Sequence, residues 1–179
     1  NREKYDAAEY LPGVMSMGSN GVNNPVWLPC FFEYIRGTER MEARLYKAMQ
    51  ENPIIAAVRD DAGLEGAVKA DVQIVFVLYG DICGIGAIVD RIKDAGKIAI
   101  VHADLITGLS GKEVCVDFLK NTTRADGIIS TRVNMIQRAK ELQMITIFRV
   151  FIIDSMALDS LLGVKNLRPD AIDILPGLM

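Results

Sequence analysis

Polar and charged residues lie at the ends of several apolar runs, where they could bind a small polar molecule. His102 and Asp104 are two residues apart, so both side chains lie on one face of an extended segment. Ser130 and Thr131 follow another apolar run, and Arg149 lies within a third. Guanidinium and hydroxyl groups bind phosphate or carboxylate, and a histidine beside a carboxylate can transfer protons. These residues are therefore candidates for a ligand-binding site.

Two further candidates follow the earlier apolar runs of the chain. Arg59 comes directly after the run 54–58, and Asp81 comes shortly after the run 74–78. Buried arginines are rare unless they are paired, so Arg59 and Arg149 are both candidates for binding phosphate or carboxylate. Asp81 either belongs to the site or caps the helix that we expect to follow it.

Each candidate also has a structural interpretation. His102, the one histidine of the chain, can be a packing residue, and because it has no partner at metal-ligand spacing we expect no metal site. Asp104 can form a structural ion pair with a nearby arginine or lysine. Ser130 and Thr131 can cap the following helix instead of donating to a ligand. The sequence leaves these alternatives open.

Six short runs rich in isoleucine and valine, separated by stretches with helical spacing, must position these residues. This alternation predicts a parallel βα array, in which ligands bind at the carboxyl ends of the strands. A closed barrel needs eight strands, and residues 59–63 lack the glycine-rich loop of a doubly wound sheet. We therefore predict an incomplete, TIM-barrel-like α/β array of about six parallel strands in sequential order. The predicted strands cover residues 54–58, 74–78, 98–101, 127–129, 145–151 and 171–175.

The composition divides the chain near residue 40. Residues 12–29 are rich in glycine, asparagine and proline and have no period, whereas Met41 opens a charged segment that favours helix. We predict that residues 1–40 are an irregular leader, foreign to the domain, that packs on it loosely or not at all. Residues 41–179 are expected to form a partial barrel that is truncated after its sixth strand.

The overall composition excludes several classes of protein. Half of the 179 residues are hydrophobic, which excludes a disordered chain. The net charge of −3 argues against binding of nucleic acid by bulk positive charge, although a local patch is compatible with it. No apolar stretch approaches the roughly 20 residues that cross a bilayer, and the three cysteines lack zinc-ligand spacing. We expect a cytoplasmic protein without a metal, a cofactor or a membrane partner.

Basic residues are frequent in the fourth βα unit and in the helix before it. They are Lys120, Arg124, Arg132, Arg138 and Lys140. Local positive charge of this kind can bind the phosphates of RNA. No aromatic residues lie between them that could stack on bases, so a solvated helix face is the alternative interpretation.

Five separated motifs, in order, resemble the glycerol-3-phosphate-responsive antiterminator family. They cover residues 52–60, 78–82, 101–113, 125–131 and 175–177, and the resemblance extends over residues 41–179. It implies a fold similar to a TIM barrel and a regulator that binds the leader of glycerol-operon messenger RNA. Such a regulator prevents transcription termination when glycerol 3-phosphate is present. The effector is then the expected ligand of the strand-end residues, and RNA is the expected partner of the basic residues.

A barrel enzyme acting on a small phosphorylated metabolite is the alternative function. His102, Asp60, Asp81 and Asp104 carry groups that can transfer protons. No lysine lies at the carboxyl end of a predicted strand, where a Schiff base would form. We therefore predict a regulator and not an enzyme, and the oligomeric state stays open.

Overall fold

The structure, a computed structural model, describes residues 15–16, 41–151 and 167–175. Strands and helices alternate along this part of the chain. The strands are β1 Met15–Ser16, β2 Ile55–Val58, β3 Ile74–Val77, β4 Ile98–His102, β5 Gly127–Ser130, β6 Ile145–Phe151 and β7 Ala171–Leu175. The helices are α1 Met41–Glu51, α2 Asp61–Lys69, α3 Ile85–Asp94, α4 Val114–Thr122 and α5 Val133–Glu141, with one 3₁₀ turn over Ala103–Leu105.

The strands form one parallel sheet with the order β1-β7-β6-β5-β4-β3-β2. The six strands from β2 to β7 therefore pair in sequential order, as predicted, and they curl into a half-barrel of the TIM-barrel type. Between β2 and β6, helices α2 to α5 each cross from the carboxyl end of one strand to the amino end of the next. Because the strands are parallel, the turns that follow β2 to β5 lie at the same edge of the sheet.

The strand β1 lies in the stretch for which the sequence predicts no regular structure. Met15 pairs with Asp173 and Ser16 with Ile174, so β1 runs parallel to β7 at the edge of the sheet. The other residues of the predicted leader lie outside the described residues. The division of the chain at residue 40 therefore stays a prediction.

The sheet separates two apolar clusters. The outer cluster lies between the sheet and helices α2 to α5, and Val101 and Ile128 belong to it. The inner cluster lies on the concave face and receives alternate strand residues, including Ile98, Ile100 and Ile147. Each such isoleucine, fully buried, contributes about 1.5–3 kcal/mol to folding.

Helix α1 covers the inner cluster near the amino ends of the strands. Leu45, Ala48 and Met49 are buried in that cluster. Nη1 of Arg44 lies 2.8 Å from Oδ1 of Asp126, which directly precedes β5 at its amino end. The concave face is therefore covered by α1 at the amino end. The carboxyl end carries the polar residues that the sequence singles out.

The close approach of β5 and β6 depends on Gly127. A Cβ atom at this position would collide with the backbone carbonyl oxygen and the Cβ atom of Ile145. Only glycine therefore permits this spacing at the start of the two strands.

Within the described residues, no helix is long and apolar enough to cross a membrane. The described part of the chain also contains no group of three or more histidine, cysteine or acidic residues that could hold a metal ion.

Candidate functional site

The Asp104 carboxylate joins the carboxyl ends of β4 and β5. It accepts hydrogen bonds from Oγ of Ser130 at 3.0 and 3.1 Å and from the backbone nitrogen of Thr131 at 2.7 Å. The Thr131 hydroxyl donates to it at 3.2 Å. The 3₁₀ turn that directly follows β4 carries Asp104 to this position. Three of the candidate residues are thus in direct contact, and Asp104 organises the other two.

Arg132 is the cation beside this carboxylate. Its Nε lies 3.4 Å from Oδ1 of Asp104, and its side chain is 54% exposed. The guanidinium packs against Gly111, where any Cβ atom would collide with it. The sequence assigns Arg132 to an RNA-binding group, and the structure places it at the rim of the strand-end cluster.

A buried ion pair joins β6 and β7 on the concave face. Nε of Arg149 donates to Oδ2 of Asp173 at 2.7 Å, and the side chains are 6% and 0% exposed. The two residues are direct partners in the register of the sheet. Burial raises the pKa of the Asp173 carboxyl above its ordinary value, and the charge and hydrogen bond of Arg149 oppose this effect. Arginine stays charged in proteins, so the buried guanidinium requires the anion that Asp173 supplies.

His102 is buried on the same concave face, at the carboxyl end of β4. Burial lowers the pKa of its imidazole to about 4, and the positive charge of Arg149 acts in the same direction. The negative charge of Asp104 opposes the shift in this pKa. His102 is therefore neutral at pH 7, and each ring nitrogen can be either a donor or an acceptor, depending on the tautomer.

Two buried side-chain atoms in the described part of the chain have no hydrogen-bond partner. They are Nδ1 of His102 and Oδ1 of Asp173. Leaving a buried polar atom unpaired costs about 1–3 kcal/mol. Both atoms belong to side chains near Arg149, so the concave face offers two unpaired polar atoms beside a buried cation. This is a chemical arrangement that a polar ligand would satisfy.

Arg59 and Asp81 have no described contact with this cluster. Arg59 is exposed at the carboxyl end of β2. Oδ1 of Asp81 accepts from the backbone nitrogens of Cys83 and Gly84, each at 2.8 Å, just before α3. Asp81 therefore stabilises the turn that leads into the helix, which is the structural alternative left open by the sequence.

Two of the other basic residues, Arg124 and Arg138, form ion pairs within the chain. Nη1 of Arg124 lies 2.7 Å from Oδ1 of Asp94. Nη2 of Arg138 lies 2.5 Å from Oδ1 of Asp117, and its Nη1 lies 2.7 Å from Oε2 of Glu141. These carboxylates raise the pKa of both guanidinium groups.

The two lysines of this group, Lys120 and Lys140, differ in their contacts. Nζ of Lys140 donates to the backbone oxygens of Leu167 at 3.0 Å and Arg168 at 2.6 Å. Lys120 is exposed on α4. Lys140 lies in the last turn of α5, and its two hydrogen bonds link this helix to the segment before β7.

The basic residues do not form one continuous positive surface. Arg124 precedes β5 at its amino end, whereas Arg132 follows β5 at its carboxyl end. The groove between α4 and α5 has a volume of about 410 Å³ and carries three carboxylates and one guanidinium. It is lined by Glu113, Val114, Asp117, Asn134, Gln137, Arg138 and Glu141. The groove therefore carries a net negative charge.

Sequence reasoning missed Asp173 as a site residue. The residue is one acidic side chain within the short apolar run 171–175. Ala171, two positions earlier, belongs to the inner cluster, so the alternation along β7 places Asp173 on the concave face. A charged residue inside a buried strand needs a partner, and this signal, which identified Arg149, could also have identified Asp173.

A known protein family matches most of the described chain. The model of the family described as glycerol-3-phosphate responsive antiterminator matches residues 54–179. A relative from Escherichia coli (strain K12), named uncharacterized protein YgcP, is 46% identical over 136 residues. This match covers 75% of the chain and 71% of the relative.

Two crystal structures share the fold. A glycerol uptake operon antiterminator regulatory protein from Listeria monocytogenes str. 4b F2365 matches with a TM-score of 0.66 and 34% identity, over 69% of this chain and 67% of that one. A glycerol uptake operon antiterminator-related protein from Thermotoga maritima MSB8 matches with a TM-score of 0.62 and 30% identity, over 69% and 70% of the two chains. With its half-barrel and its polar strand ends, the chain belongs to the family of glycerol-3-phosphate-responsive antiterminators.

Proposed function

We propose that the protein is a cytoplasmic transcription antitermination regulator that binds the leader of a glycerol-operon messenger RNA in response to glycerol 3-phosphate. Membership of the family supports the regulatory role and the identity of the effector. The proposal includes no catalysed reaction and no cofactor.

The observation that carries the proposal is the polar cluster at the carboxyl ends of the strands. A buried guanidinium at Arg149, a neutral imidazole at His102 and the hydroxyl groups near Asp104 lie there. Glycerol 3-phosphate combines an anionic phosphate with two hydroxyl groups, and this cluster provides complementary groups for both. The proposed effector site is centred on His102, Asp104, Ser130, Thr131 and Arg149. Arg59 and Asp81, which lie at the neighbouring strand ends outside this cluster, remain proposed further contacts.

Leader RNA is the proposed second partner, and Lys120, Arg124, Arg132, Arg138 and Lys140 are its proposed contacts. Arg132 has a special position among them, because it is half exposed and also contacts Asp104 in the effector cluster. A ligand that changes the Asp104 network would change the position of the Arg132 guanidinium. This contact supports a coupling between effector binding and RNA binding.

A gel-shift titration tests the proposal. The protein is titrated into a glycerol-operon leader RNA with and without saturating glycerol 3-phosphate. We expect the effector to tighten RNA binding by about 5- to 150-fold, the usual range of allosteric coupling. Glycerol, inorganic phosphate and an RNA of the same length with a shuffled sequence are the controls. Equal affinity for the leader RNA with and without the effector would contradict the proposed function.

A barrel enzyme acting on a small phosphorylated metabolite is the second candidate. The observation in its favour is the neutral imidazole of His102, which can hydrogen-bond to a substrate oxygen beside the charges of Arg149 and Asp104. Incubation of the protein with triose phosphates, followed by phosphorus NMR, tests this alternative. Turnover that disappears in the variant His102→Phe would favour the enzyme, and we expect none.

A further inference from the structure

We propose that His102 and Asp173 form a subsite that recognises the hydroxyl end of the phosphorylated ligand and rejects the corresponding ketone. This inference rests on the proposed function, because it takes glycerol 3-phosphate as the ligand. It adds Asp173 to the site and assigns the specificity of the site to two unpaired atoms.

The two atoms lie on the same face of the sheet. Ile98 and Ile100 of β4 belong to the inner cluster, so His102 continues their row on the concave face. Ala171 of β7 also belongs to the inner cluster, and Asp173 continues its row. Arg149 connects the two rows, because it donates to Asp173 and its charge acts on His102. The unpaired Nδ1 and Oδ1 atoms therefore belong to one cluster at the carboxyl end of the half-barrel.

The chemistry of Asp173 selects a donor. Its Oδ2 accepts from Nε of Arg149, a cation that favours the carboxylate form, and Oδ1 is left as an unpaired acceptor. A hydroxyl group of the ligand can donate to this atom, whereas a ketone oxygen can only accept. A phosphate group is also excluded from this position, because its negative charge would be repelled by the buried carboxylate. The hydroxyl end of the ligand is therefore the part that fits.

His102 completes the recognition of an alcohol. The neutral imidazole presents Nδ1 as a donor or as an acceptor, according to its tautomer. An alcohol both donates and accepts, so the secondary hydroxyl group of glycerol 3-phosphate can pair with Nδ1 while it donates to Oδ1 of Asp173. A ketone leaves Oδ1 of Asp173 unpaired and buried. Sites that bind a substrate hydroxyl reject analogues lacking it by large factors for this reason.

Calorimetric titrations with three probes test the subsite. The probes are glycerol 3-phosphate, dihydroxyacetone phosphate and inorganic phosphate. The protein is expected to bind glycerol 3-phosphate at least about tenfold more tightly than the ketone. The variant Asp173→Asn should lose about 10- to 100-fold in affinity for glycerol 3-phosphate, because a charge-assisted hydrogen bond is lost. The far-ultraviolet circular dichroism spectrum of this variant should stay unchanged, which separates a lost subsite from a damaged fold.

A matched control and a second variant complete the experiment. Asp71→Asn changes an exposed carboxylate that precedes β3 at the opposite end of the sheet, and it should leave all three affinities unchanged. His102→Phe keeps an aromatic ring in this buried position and should also abolish the preference for the alcohol. This second variant tests the subsite if Asp173→Asn fails to fold. An unchanged ratio of alcohol to ketone affinity in a folded variant would overturn the inference. Binding of none of the three probes by the unaltered protein would instead contradict the proposed function.

Discussion

Arg149 and Asp173 are direct partners across β6 and β7, and the guanidinium Nε donates to the carboxylate Oδ2 over 2.7 Å. Both side chains are buried on the concave face of the half-barrel. A buried ion pair stabilises a fold only as a pair, because each charge alone is costly to desolvate. The unpaired Oδ1 of Asp173 and Nδ1 of His102 then remain for a ligand.

Removing one partner of this ion pair should destabilise the protein strongly. We expect Arg149→Met to lower the free energy of unfolding by about 3–5 kcal/mol, because Asp173 would stay buried without its cation. The double variant Arg149→Met with Asp173→Leu should recover most of this loss. Urea denaturation of the single and double variants measures the coupling. Additive effects of the two substitutions would show that the pair does not act as a unit.

His102 should make the protein less stable at acidic pH. The pKa of His102 is about 4 in the folded protein and has an ordinary value of 6.5, so between these values the unfolded chain binds the additional proton. Stability is therefore lost as the pH falls, by about 2 kcal/mol between pH 7 and pH 5 for this group alone.

The variant His102→Phe isolates this effect. At pH 7 it should be more stable than the unaltered protein by about 1 kcal/mol, because an unpaired buried nitrogen is removed. Its advantage should grow between pH 7 and pH 5, as measured by urea denaturation at each pH. A constant difference across this range would contradict the assigned titration of His102.

The Asp104 network should contribute to stability as well as to the site. Asp104→Ala removes the acceptor of Ser130 and Thr131, and we expect a loss of about 1–3 kcal/mol. Asp60→Ala is the comparison, because Asp60 caps α2 with one hydrogen bond to Gly63, and its loss should cost about 1 kcal/mol. Thermal unfolding of both variants gives the ranking. A smaller effect at Asp104 than at Asp60 would contradict the view that this carboxylate joins β4 and β5.

Gly127 should tolerate no side chain. Gly127→Ala would force β5 away from Ile145, and we expect a loss of about 1–3 kcal/mol, as for an overpacked core. The matched control is Gly66→Ala on α2, where no atom lies within 4 Å of the added Cβ. This control should gain about 0.5–1 kcal/mol from helix propensity. Urea denaturation compares the two, and equal effects would contradict the close approach of the strands.

Much of the fold follows from local sequence patterns. Six apolar runs separated by helical spacing predict parallel strands, and the sheet has β2 to β7 in this order. The pattern could not predict β1, because Met15 and Ser16 form a strand only through their pairing with β7. A two-residue strand has no periodicity of its own to detect.

The start of α4 shows how one local contact can replace another that the sequence predicts. Ser110 and Glu113 have the spacing of a capping box, which predicts a helix that begins between them. In the structure the helix begins at Val114, without a capping hydrogen bond from a side chain. The Ser110 backbone nitrogen and Oγ instead lie 3.2 and 3.3 Å from Sγ of Cys115. The prediction that Ser110 caps this helix is therefore wrong.

The candidate site was partly predictable in the same sense. The two-residue spacing of His102 and Asp104 predicts that both lie on one face of an extended segment. In the structure β4 ends at His102, and the 3₁₀ turn that follows it carries Asp104. Arg149 and Asp173 are 24 positions apart in the chain, and their pairing depends on the register of β6 and β7, which no local pattern specifies. Long-range register therefore decides which charged residues become partners.

Reciprocal coupling between the effector and the RNA is the decisive test of the proposed regulation. Glycerol 3-phosphate is titrated calorimetrically into the free protein and into the protein saturated with leader RNA. We expect RNA to tighten effector binding by the same factor by which the effector tightens RNA binding in the gel shift, because linkage is reciprocal. Effector affinity that is identical with and without the leader RNA would contradict the proposed regulation.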